Sequence, residues 1–265
     1  MVKILLWPFS LIYGLVTFIR NKFFDWGMLP SHSFNIPIIS VGNLSTGGTG
    51  KTPHIEYLVN LLRSDYKVAV LSRGYKRQSS GFKLADKSST YQELGDEPCQ
   101  YVSKFDDVYV AVDEDRVHGV KQLTTLRPAP DVILLDDAFQ HRYVKPGLSI
   151  LLTDFYKLYP NDLVLPAGSL REFKSGAKRA DIIVVTKGPR VLSPFTFRRI
   201  KNLIQPRDHQ SLMFSFIRHG KLRQIPGIGY IPQKKGYYSE ILIVAGIANP
   251  YPLEAHLKQK TNRVQ

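Results

Sequence analysis

The stretch that decides the fold is Ser45-Thr46-Gly47-Gly48-Thr49-Gly50-Lys51-Thr52. An apolar segment, Ile36–Val41, precedes it, and a sequence typical of a helix follows it. A loop between a strand and a helix directs backbone N–H groups at phosphate oxygens, and its glycines let a phosphate approach closely. The stretch therefore predicts a phosphate-binding loop and a nucleoside triphosphate as ligand. The residues expected to bind the triphosphate are Thr46, Gly47, Gly48, Thr49, Gly50, Lys51 and Thr52.

The loop departs from the usual form G-x-x-x-x-G-K-[ST] at its first position, which is Ser45. The glycines that follow keep the backbone free to adopt unusual dihedral angles. Lys51 supplies a positive charge for phosphate oxygens, and the Thr52 hydroxyl is a suitable ligand for Mg²⁺. The alternative is an ordinary turn before a helix. The order of strand, loop and helix favours phosphate binding.

Segments typical of strands and helices alternate from Ile36 onward, which predicts an α/β fold of the P-loop NTPase type. Such alternation is typical of a mostly parallel sheet with helices on both faces. The predicted strands are Ile36–Val41, Val68–Ser72, Val108–Val112, Val132–Leu135, Ile150–Thr153 and Ile182–Thr186. The predicted helices are Thr52–Arg63, Glu97–Lys104, Arg116–Thr124 and Pro194–Ile204.

The pattern changes after residue 208, where we expect a smaller C-terminal part with antiparallel strands. Leu212–Ile217 and Lys221–Ile225 resemble such strands, and Ile241–Val244 is a further strand before a helix. The predicted divisions are residues 1–30 as a membrane-associated helix, 31–208 as the P-loop core and 209–265 as the C-terminal part. Because compact domains seldom end just after a helix begins, we expect the last part to be incomplete.

The charge balance suggests anionic partners. The 265 residues include 36 Lys and Arg against 22 Asp and Glu, a formal net charge of +14. Such an excess favours nucleic acid, acidic lipid or phosphorylated substrates, with simple solubility as the alternative. Cys99 is the sole cysteine, which excludes an intramolecular disulfide framework and a cysteine-cluster metal site.

The N-terminus is a candidate membrane-contacting helix. The run Ile4–Ile19 is almost continuously apolar, with Lys3 before it and Arg20 after it. It is slightly short for a span, which needs about 20 residues, and no small-residue cleavage site follows. Flanking cations and aromatic side chains suit a membrane interface. The alternative is a buried N-terminal helix that packs on the domain.

Two carboxylates end one of the predicted strands. Asp136 and Asp137 follow the apolar run Val132–Leu135. In P-loop folds a carboxylate at a strand tip holds the Mg²⁺ that bridges the phosphates. We assign Asp136 to the metal, and Asp137 to orienting metal, water or substrate. The alternative is a pair of solvated acids.

Two further segments carry groups suited to phosphoryl transfer. Asp96, in Gly95-Asp96-Glu97-Pro98, is either a helix cap or a base for an acceptor hydroxyl, and spacing alone leaves both open. Arg171, in the turn Leu165–Glu172, is either a group that stabilises phosphate charge, positioned by Glu172, or half of a surface ion pair.

Taken together, these motifs resemble the tetraacyldisaccharide 4′-kinase (lipid A 4′-kinase) family. The resemblance covers nearly all of the chain, in the family's order. It rests on Val41–Pro53, Ser72–Tyr75, Gly95–Pro98, Asp136–Arg142, Leu165–Glu172 and Gly246–Pro250.

The resemblance implies ATP and Mg²⁺ as cofactors. It also implies phosphorylation of the 4′-hydroxyl of an acylated glucosamine disaccharide 1-phosphate, a lipid A precursor. Asp96 matches the family's proposed catalytic aspartate. The resemblance also implies a membrane-associated protein. With the apolar N-terminal helix, we expect a peripheral or monotopic location at the cytoplasmic face of the inner membrane, and no nucleic acid as partner.

The chain departs from the family pattern at two points. Ala138 stands where many members have glycine, and the family's later Asp-His-His-type segment, whose histidine pairs with the catalytic aspartate, is not found in these residues. His256 is no motif match, so the role is not transferred to it. The alternative from another class is a membrane-associated P-loop switch ATPase of the partitioning type, which needs no hydroxyl base at Asp96.

Overall fold

The computed structural model describes residues 2–218, 220, 238, 240–245, 251–261 and 263, with side chains omitted for 2–5, 251 and 252. The predicted strand Lys221–Ile225 and the segment Gly246–Pro250 lie outside the described residues. The chain divides into two compact units, Met1–Phe216 and Ile217–Gln265. The division at residues 30 and 208 stays a prediction.

A sheet of eight strands, counted over the described residues, organises the first unit. The strand order is β3-β4-β2-β5-β1-β6-β7-β8, and every pairing is parallel except that of β3 with β4. The predicted mostly parallel sheet is therefore confirmed. The strands are β1 Ile38–Asn43, β2 Val68–Ser72, β3 Lys83–Leu84, β4 Tyr109–Val112, β5 Val132–Asp136, β6 Leu148–Asp154, β7 Ile182–Gly188 and β8 Ser211–Phe216.

Helices connect the strands and cover the sheet. The α-helices of the described residues are α1 Val2–Asp25, α2 Lys51–Leu62, α3 Tyr91–Leu94, α4 Asp96–Lys104, α5 Arg116–Thr124, α6 Pro194–Ile204 and α7 Tyr251–Lys258. Short 3₁₀ turns occupy Tyr159–Asn161 and Lys174–Arg179.

Alternate strand residues point to opposite faces, so each face has its own helices. In β5, Leu134 packs in a cluster with Ile55 of α2 and Tyr101 of α4. The neighbouring Leu135 packs in another cluster with Leu123 of α5. The central strands β1, β2, β5 and β6 are largely buried on both faces, as parallel strands are. The prediction of helices on both sides is confirmed.

Two strand predictions near the C-terminus are wrong. Leu212–Ile217 was expected to run antiparallel, but β8 pairs parallel to β7, with Ser211 opposite Ile182. The helix α6 crosses between the two strands, and a helical crossover returns the chain in the same direction. The expected strand Ile241–Val244 does not form, since residues 242–245 lack regular structure.

Helix α1 packs against the rest of the first unit through a narrow stripe of buried residues. Ser10, Gly14 and Phe24 are buried, and a Cβ on Gly14 would lie 2.5 Å from the Phe173 ring. Most large apolar side chains of α1 are exposed, including Ile12 at 63%. In the part of the chain that the structure describes, no helix has both the length and the apolar character needed to cross a bilayer.

Candidate active site

The phosphate-binding loop lies at the carboxyl end of the central strand β1, and its backbone is braced from two sides. Asn43 donates its side-chain N–H to the Thr49 hydroxyl at 2.7 Å, and Thr186 of β7 donates its hydroxyl to the Thr49 carbonyl at 2.8 Å. Gly50 adopts φ 89° just before α2, where other residues would be strained. The loop is therefore held in place before any ligand arrives.

A second segment, residues 163–172, lies directly against this loop. The Thr46 N–H donates to the Ser169 carbonyl at 2.7 Å, and the Arg171 N–H donates to the Leu44 carbonyl at 2.7 Å. Ser45 forms an antiparallel bridge with Leu170. The nonstandard first residue of the loop thus takes part in a backbone pairing that places Arg171 at the phosphate site.

Lys51, Asp137 and Arg171 meet at the edge of the loop. Asp137 Oδ1 lies 3.7 Å from Lys51 Nζ, and Arg171 Nη1 donates to both Asp137 oxygens at 2.9 and 3.0 Å. Asp137 has φ 49°, an uncommon backbone conformation at the tip of β5. The cluster presents two cations to one carboxylate, which is an arrangement suited to binding phosphate oxygens.

Asp136 is fully buried beside the loop. Tyr101 donates its hydroxyl to Asp136 Oδ2 at 3.0 Å, while Oδ1 lacks a hydrogen-bond partner among the described residues. Burial and the negative charge of Glu97 raise the pKa of Asp136 to about 7. Burial and the charge of Asp136 raise the pKa of Tyr101. A buried carboxylate with a free oxygen is suited to a cation.

The Thr52 hydroxyl, at the start of α2, donates to Glu97 Oε1 at 3.4 Å. Sequence reasoning missed Glu97, because the run Gly-Asp-Glu-Pro was interpreted as a helix start. The adjacent carboxylates of Asp96 and Glu97 were the sequence signal that could have indicated a second acidic group at the site. No cluster of three or more His, Cys, Asp or Glu side chains suited to a metal occurs among the described residues. A Mg²⁺ ion here would therefore also need phosphate or water oxygens.

Asp96 is the first residue of α4, and the cap position is occupied by Gly95. The interpretation of Asp96 as the cap is therefore wrong, and its side chain is exposed. Gly95 has φ 87°, and a Cβ there would lie 2.7 Å from the Tyr75 carbonyl oxygen. This close approach brings the predicted ligand segment Ser72–Tyr75 beside Asp96.

Glu172 does not form the surface ion pair considered for Arg171. Its side chain is 3% exposed and accepts a hydrogen bond from Arg179 at 2.7 Å. It also accepts from Gln140 at 3.1 Å, and the Gln140 amide oxygen in turn accepts from Arg171 at 3.4 Å. Glu172 thus reaches Arg171 through Gln140, whose role the sequence did not predict.

A family model described as tetraacyldisaccharide-1-P 4′-kinase matches residues 2–265. The tetraacyldisaccharide 4′-kinase of Bacteroides thetaiotaomicron is 49% identical, over 98% of this chain and 71% of that protein. The corresponding kinase of Parabacteroides distasonis is 51% identical, over 98% of this chain and 72% of that protein. The chain belongs to the tetraacyldisaccharide 4′-kinase family. The resemblance noted from the motifs is therefore confirmed.

A solved structure of a family member agrees in fold. LpxK from Aquifex aeolicus, determined in complex with ATP, superposes with a TM-score of 0.76 at 30% identity, over 100% of this chain and 81% of that one. Family membership confirms the kinase prediction and does not favour the partitioning-type switch. The structure brings Lys51, Asp137 and Arg171 into contact at the carboxyl ends of the central strands. Thr52 follows Lys51 at the start of α2, and Asp136 is the last residue of β5.

Proposed function

We propose that this chain transfers the γ-phosphoryl group of ATP to the 4′-hydroxyl of a tetraacyldisaccharide 1-phosphate. The observation that carries the proposal is the meeting of Lys51, Asp137 and Arg171 at the phosphate-binding loop of a family member. Phosphoryl transfer depends mainly on positioning and on neutralising the charge of the transferred group. Two cations held by one carboxylate supply both.

The loop residues Thr46–Thr52 bind the phosphates through their backbone N–H groups. Lys51 places its ammonium on the phosphate oxygens, and Arg171 stabilises the charge that develops during transfer. When no nucleotide is bound, Asp137 keeps the side chains of Lys51 and Arg171 oriented. Its salt bridge with Arg171 involves partly exposed side chains, so its main contribution is geometric rather than energetic.

Thr52 and Asp136 would hold Mg²⁺. Among the described residues Asp136 Oδ1 has no hydrogen-bond partner, and the pKa of this carboxyl is raised. Both observations support the assignment, because a nearby positive charge would stabilise the buried carboxylate. When bound, Mg²⁺ neutralises phosphate charge. Tyr101 keeps the other Asp136 oxygen oriented through its hydroxyl.

Asp96 orients the acceptor hydroxyl and takes its proton. Its exposure leaves it free to contact an incoming substrate, and Glu97 on the same turn of α4 faces Thr52. Asp96, whose carboxylate takes the proton of the acceptor hydroxyl, is thus adjacent in sequence to Glu97, which contacts Thr52 of the nucleotide site. Acceptor hydroxyls in phosphoryl transfer are commonly oriented by an aspartate in this way.

The exposed apolar face of α1 supports contact with a membrane. Trp7, Phe9, Ile12 and Val16 are each more than half exposed on one helix. An acylated substrate resides in lipid, and an interfacial helix brings the site to it. We infer a peripheral or monotopic location at the cytoplasmic face of the inner membrane, with no nucleic acid as partner.

The test is to incubate the protein with labelled ATP and tetraacyldisaccharide 1-phosphate and to separate the lipids. A labelled bis-phosphate lipid is the expected product, and Lys51→Ala should reduce it at least a hundredfold, as loss of one transition-state contact does. ATP hydrolysis stimulated by lipid, without a labelled lipid, would instead support the switch ATPase.

A further inference from the structure

The polar side of α1 connects to the phosphate site through an unbroken series of hydrogen bonds. Asn21 of α1 donates to Glu172 Oε2 at 2.6 Å, and Gln140 donates to Glu172 Oε1 at 3.1 Å. Arg171 donates to Gln140 Oε1 at 3.4 Å and to Asp137 at 2.9 Å. An ion pair then extends the series to Lys51, whose Nζ lies 3.7 Å from Asp137 Oδ1.

The central member of the series is a buried charge. Glu172 is 2% exposed, and a buried carboxylate is costly unless it is fully hydrogen-bonded. Among the described residues it accepts from Asn21, Gln140 and Arg179, which come from three separate segments. A Cβ on Gly176 would lie 2.6 Å from Glu172 Oε2, so the carboxylate has little room to shift.

The side-chain amide of Gln140 contacts both Glu172, which binds α1, and residues of the nucleotide site. Its amide N–H groups donate to Glu172 and to the Asn43 carbonyl at the start of the phosphate-binding loop, at 2.9 Å. Its oxygen accepts from Arg171. Because an amide is planar, a shift at the Glu172 end also moves the oxygen that Arg171 contacts.

A second set of contacts ties α1 to the same segment. Arg20 donates to the Gln140 carbonyl at 3.4 Å, and Arg142 donates to the Asn21 carbonyl at 2.7 Å and to Asp25 at 2.7 Å. The α1 residues that face the protein therefore contact the segment that also carries Asp137. Most large apolar side chains of α1 are exposed instead.

We propose that α1 is part of the phosphoryl-transfer site and that Asn21 is a positioning residue, which holds Arg171 against Asp137 through Glu172 and Gln140. This inference rests on the proposed function. Displacements of about 1 Å at a remote positioning group can lower a rate about a hundredfold. Docking of α1 on lipid would then set the position of a cation at the reacting phosphate.

The first experiment compares Asn21→Ala with Thr17→Ala in vesicles that contain the disaccharide 1-phosphate lipid. Thr17 is the matched control, because its hydroxyl bonds within α1, to the Gly14 carbonyl at 2.9 Å. Loss of a hydrogen bond to a charged group predicts that Asn21→Ala lowers kcat about tenfold. We expect KM for ATP and vesicle binding to stay within about twofold, since positioning acts on the transition state. Equal kcat in the two variants would overturn the proposal.

The second experiment is a rescue. Asn21→Asp removes the donor and faces the Glu172 carboxylate with a like charge, so kcat should fall further than in Asn21→Ala. Adding Glu172→Gln reverses the pair, since the new amide donates to the new carboxylate on α1 and its oxygen still accepts from Gln140 and Arg179. We expect the double variant to regain at least about tenfold in kcat over Asn21→Asp, in line with a charge-assisted hydrogen bond. A double variant no better than Asn21→Asp would contradict the series.

Hydrogen exchange separates this inference from the proposed function. Asn21→Ala should raise exchange at residues 137–142 and 170–173, and Thr17→Ala should not. If the unmodified protein forms no phosphorylated lipid but this difference is present, the connection stands and the proposed function fails. If the protein phosphorylates the lipid but both variants show the same exchange and the same kcat, the proposed connection of α1 to the site is wrong and the proposed function stands.

Discussion

At the residue scale, the burial of Asp136 lowers the stability of the folded protein and provides a carboxylate at the proposed metal site. This carboxylate is fully buried, and one of its oxygens has no hydrogen-bond partner in the part of the chain that the structure describes. Such burial is unfavourable for a charge, and the raised pKa of about 7 reflects that cost. Tyr101 satisfies one of its oxygens. Groups that are strained or unsatisfied in this way persist at functional sites because a ligand completes them.

Asp96→Ala should abolish transfer and leave ATP binding unchanged. The substitution removes the proposed acceptor base, which predicts a fall in kcat of about a hundredfold or more. Asp96 is exposed at the start of α4, so folding should not suffer. The measurements are lipid phosphorylation and ATP affinity by titration. Asp106→Ala, at an exposed aspartate paired with Lys87, is the control. Loss of ATP binding together with activity would count against the assignment.

His141 should make the protein less stable in mild acid. Burial, and then the positive charge of Arg116, lower the pKa of His141 below its usual 6.5. The unfolded chain therefore binds more protons near and below that pH, so this contribution to stability is present above pH 6.5 and is lost as the pH falls. His141→Gln should lose less free energy of unfolding between pH 7.5 and 5.5 than the unmodified protein does, as measured by urea denaturation.

The control for this prediction is His209→Gln, at an exposed histidine on another part of the surface. Burial also lowers the pKa of His54, so some acid sensitivity should remain in the His141 variant. Identical pH profiles for His141→Gln and the unmodified protein would show that the imidazole is not kept neutral by folding.

Residues inside contiguous motifs can be assigned a role from the sequence, whereas contacts between distant segments cannot. The roles of Lys51, Thr52 and Asp136 stay predictions, and they rest on the local signatures of the loop and of the strand-end carboxylate. Glu97 was missed because it sits in a run that is also typical of a helix start. Gln140 belongs to the motif Asp136–Arg142, but its contacts with Arg171 and Glu172 were not predicted, because these partners are about thirty residues away and no local pattern shows them.

At the element scale, Gly95 packs closely against the turn at the end of β2. Gly95→Ala should destabilise the protein, because φ 87° is unfavourable for alanine and its Cβ would lie 2.7 Å from the Tyr75 carbonyl oxygen. The expected loss is about 2 to 4 kcal/mol, combining backbone strain with overpacking. Thermal and urea unfolding measure it.

Gly81→Ala separates the two causes of that loss. Gly81 has φ 71°, and among the described residues a Cβ there would meet nothing within 4 Å. It should therefore show only the backbone term, about 1 kcal/mol. Equal losses in the two variants would show that the contact with Tyr75 adds nothing.

The exposed face of α1 should control membrane binding. Ile12→Asp places a charge on that face, and losing the burial of one aliphatic side chain predicts about a tenfold weaker affinity for vesicles, or more. Ile12 is 63% exposed, so the fold should be unaffected. Vesicle flotation measures binding. Leu61→Asp, at an exposed position of α2, is the control. Equal binding by both variants would place the lipid contact elsewhere.

Elements with strong local periodicity were predicted well, and the direction of one strand was not. The helices Arg116–Thr124 and Pro194–Ile204 have the predicted bounds. The strand β8 alternates exposed and partly buried residues, which suited an antiparallel edge. Its parallel pairing with β7 depends on the crossover through α6, and strand periodicity is the same in both directions.

At the scale of the whole molecule, the net charge of +14 should strengthen attachment to anionic lipid. Binding to vesicles with an acidic phospholipid should weaken as salt rises from about 50 to about 500 mM, because the Debye length falls from about 14 Å to about 4 Å. Binding to neutral vesicles should change little, since the apolar face of α1 does not depend on charge. Salt-independent binding to acidic vesicles would show that the positive excess serves solubility alone.

The sequence by itself determined the phosphate-binding loop, the α/β class and the family, because glycine spacing and apolar alternation are properties of contiguous residues. Tertiary structure alone decided that Arg171 meets Asp137 and that Asn21 meets Glu172, which lie 34 and 151 residues apart. It also decided the direction of β8. Such pairings form because the carboxyl ends of parallel strands bring distant segments together. Once polar groups are buried there, leaving them without a hydrogen-bond partner costs free energy.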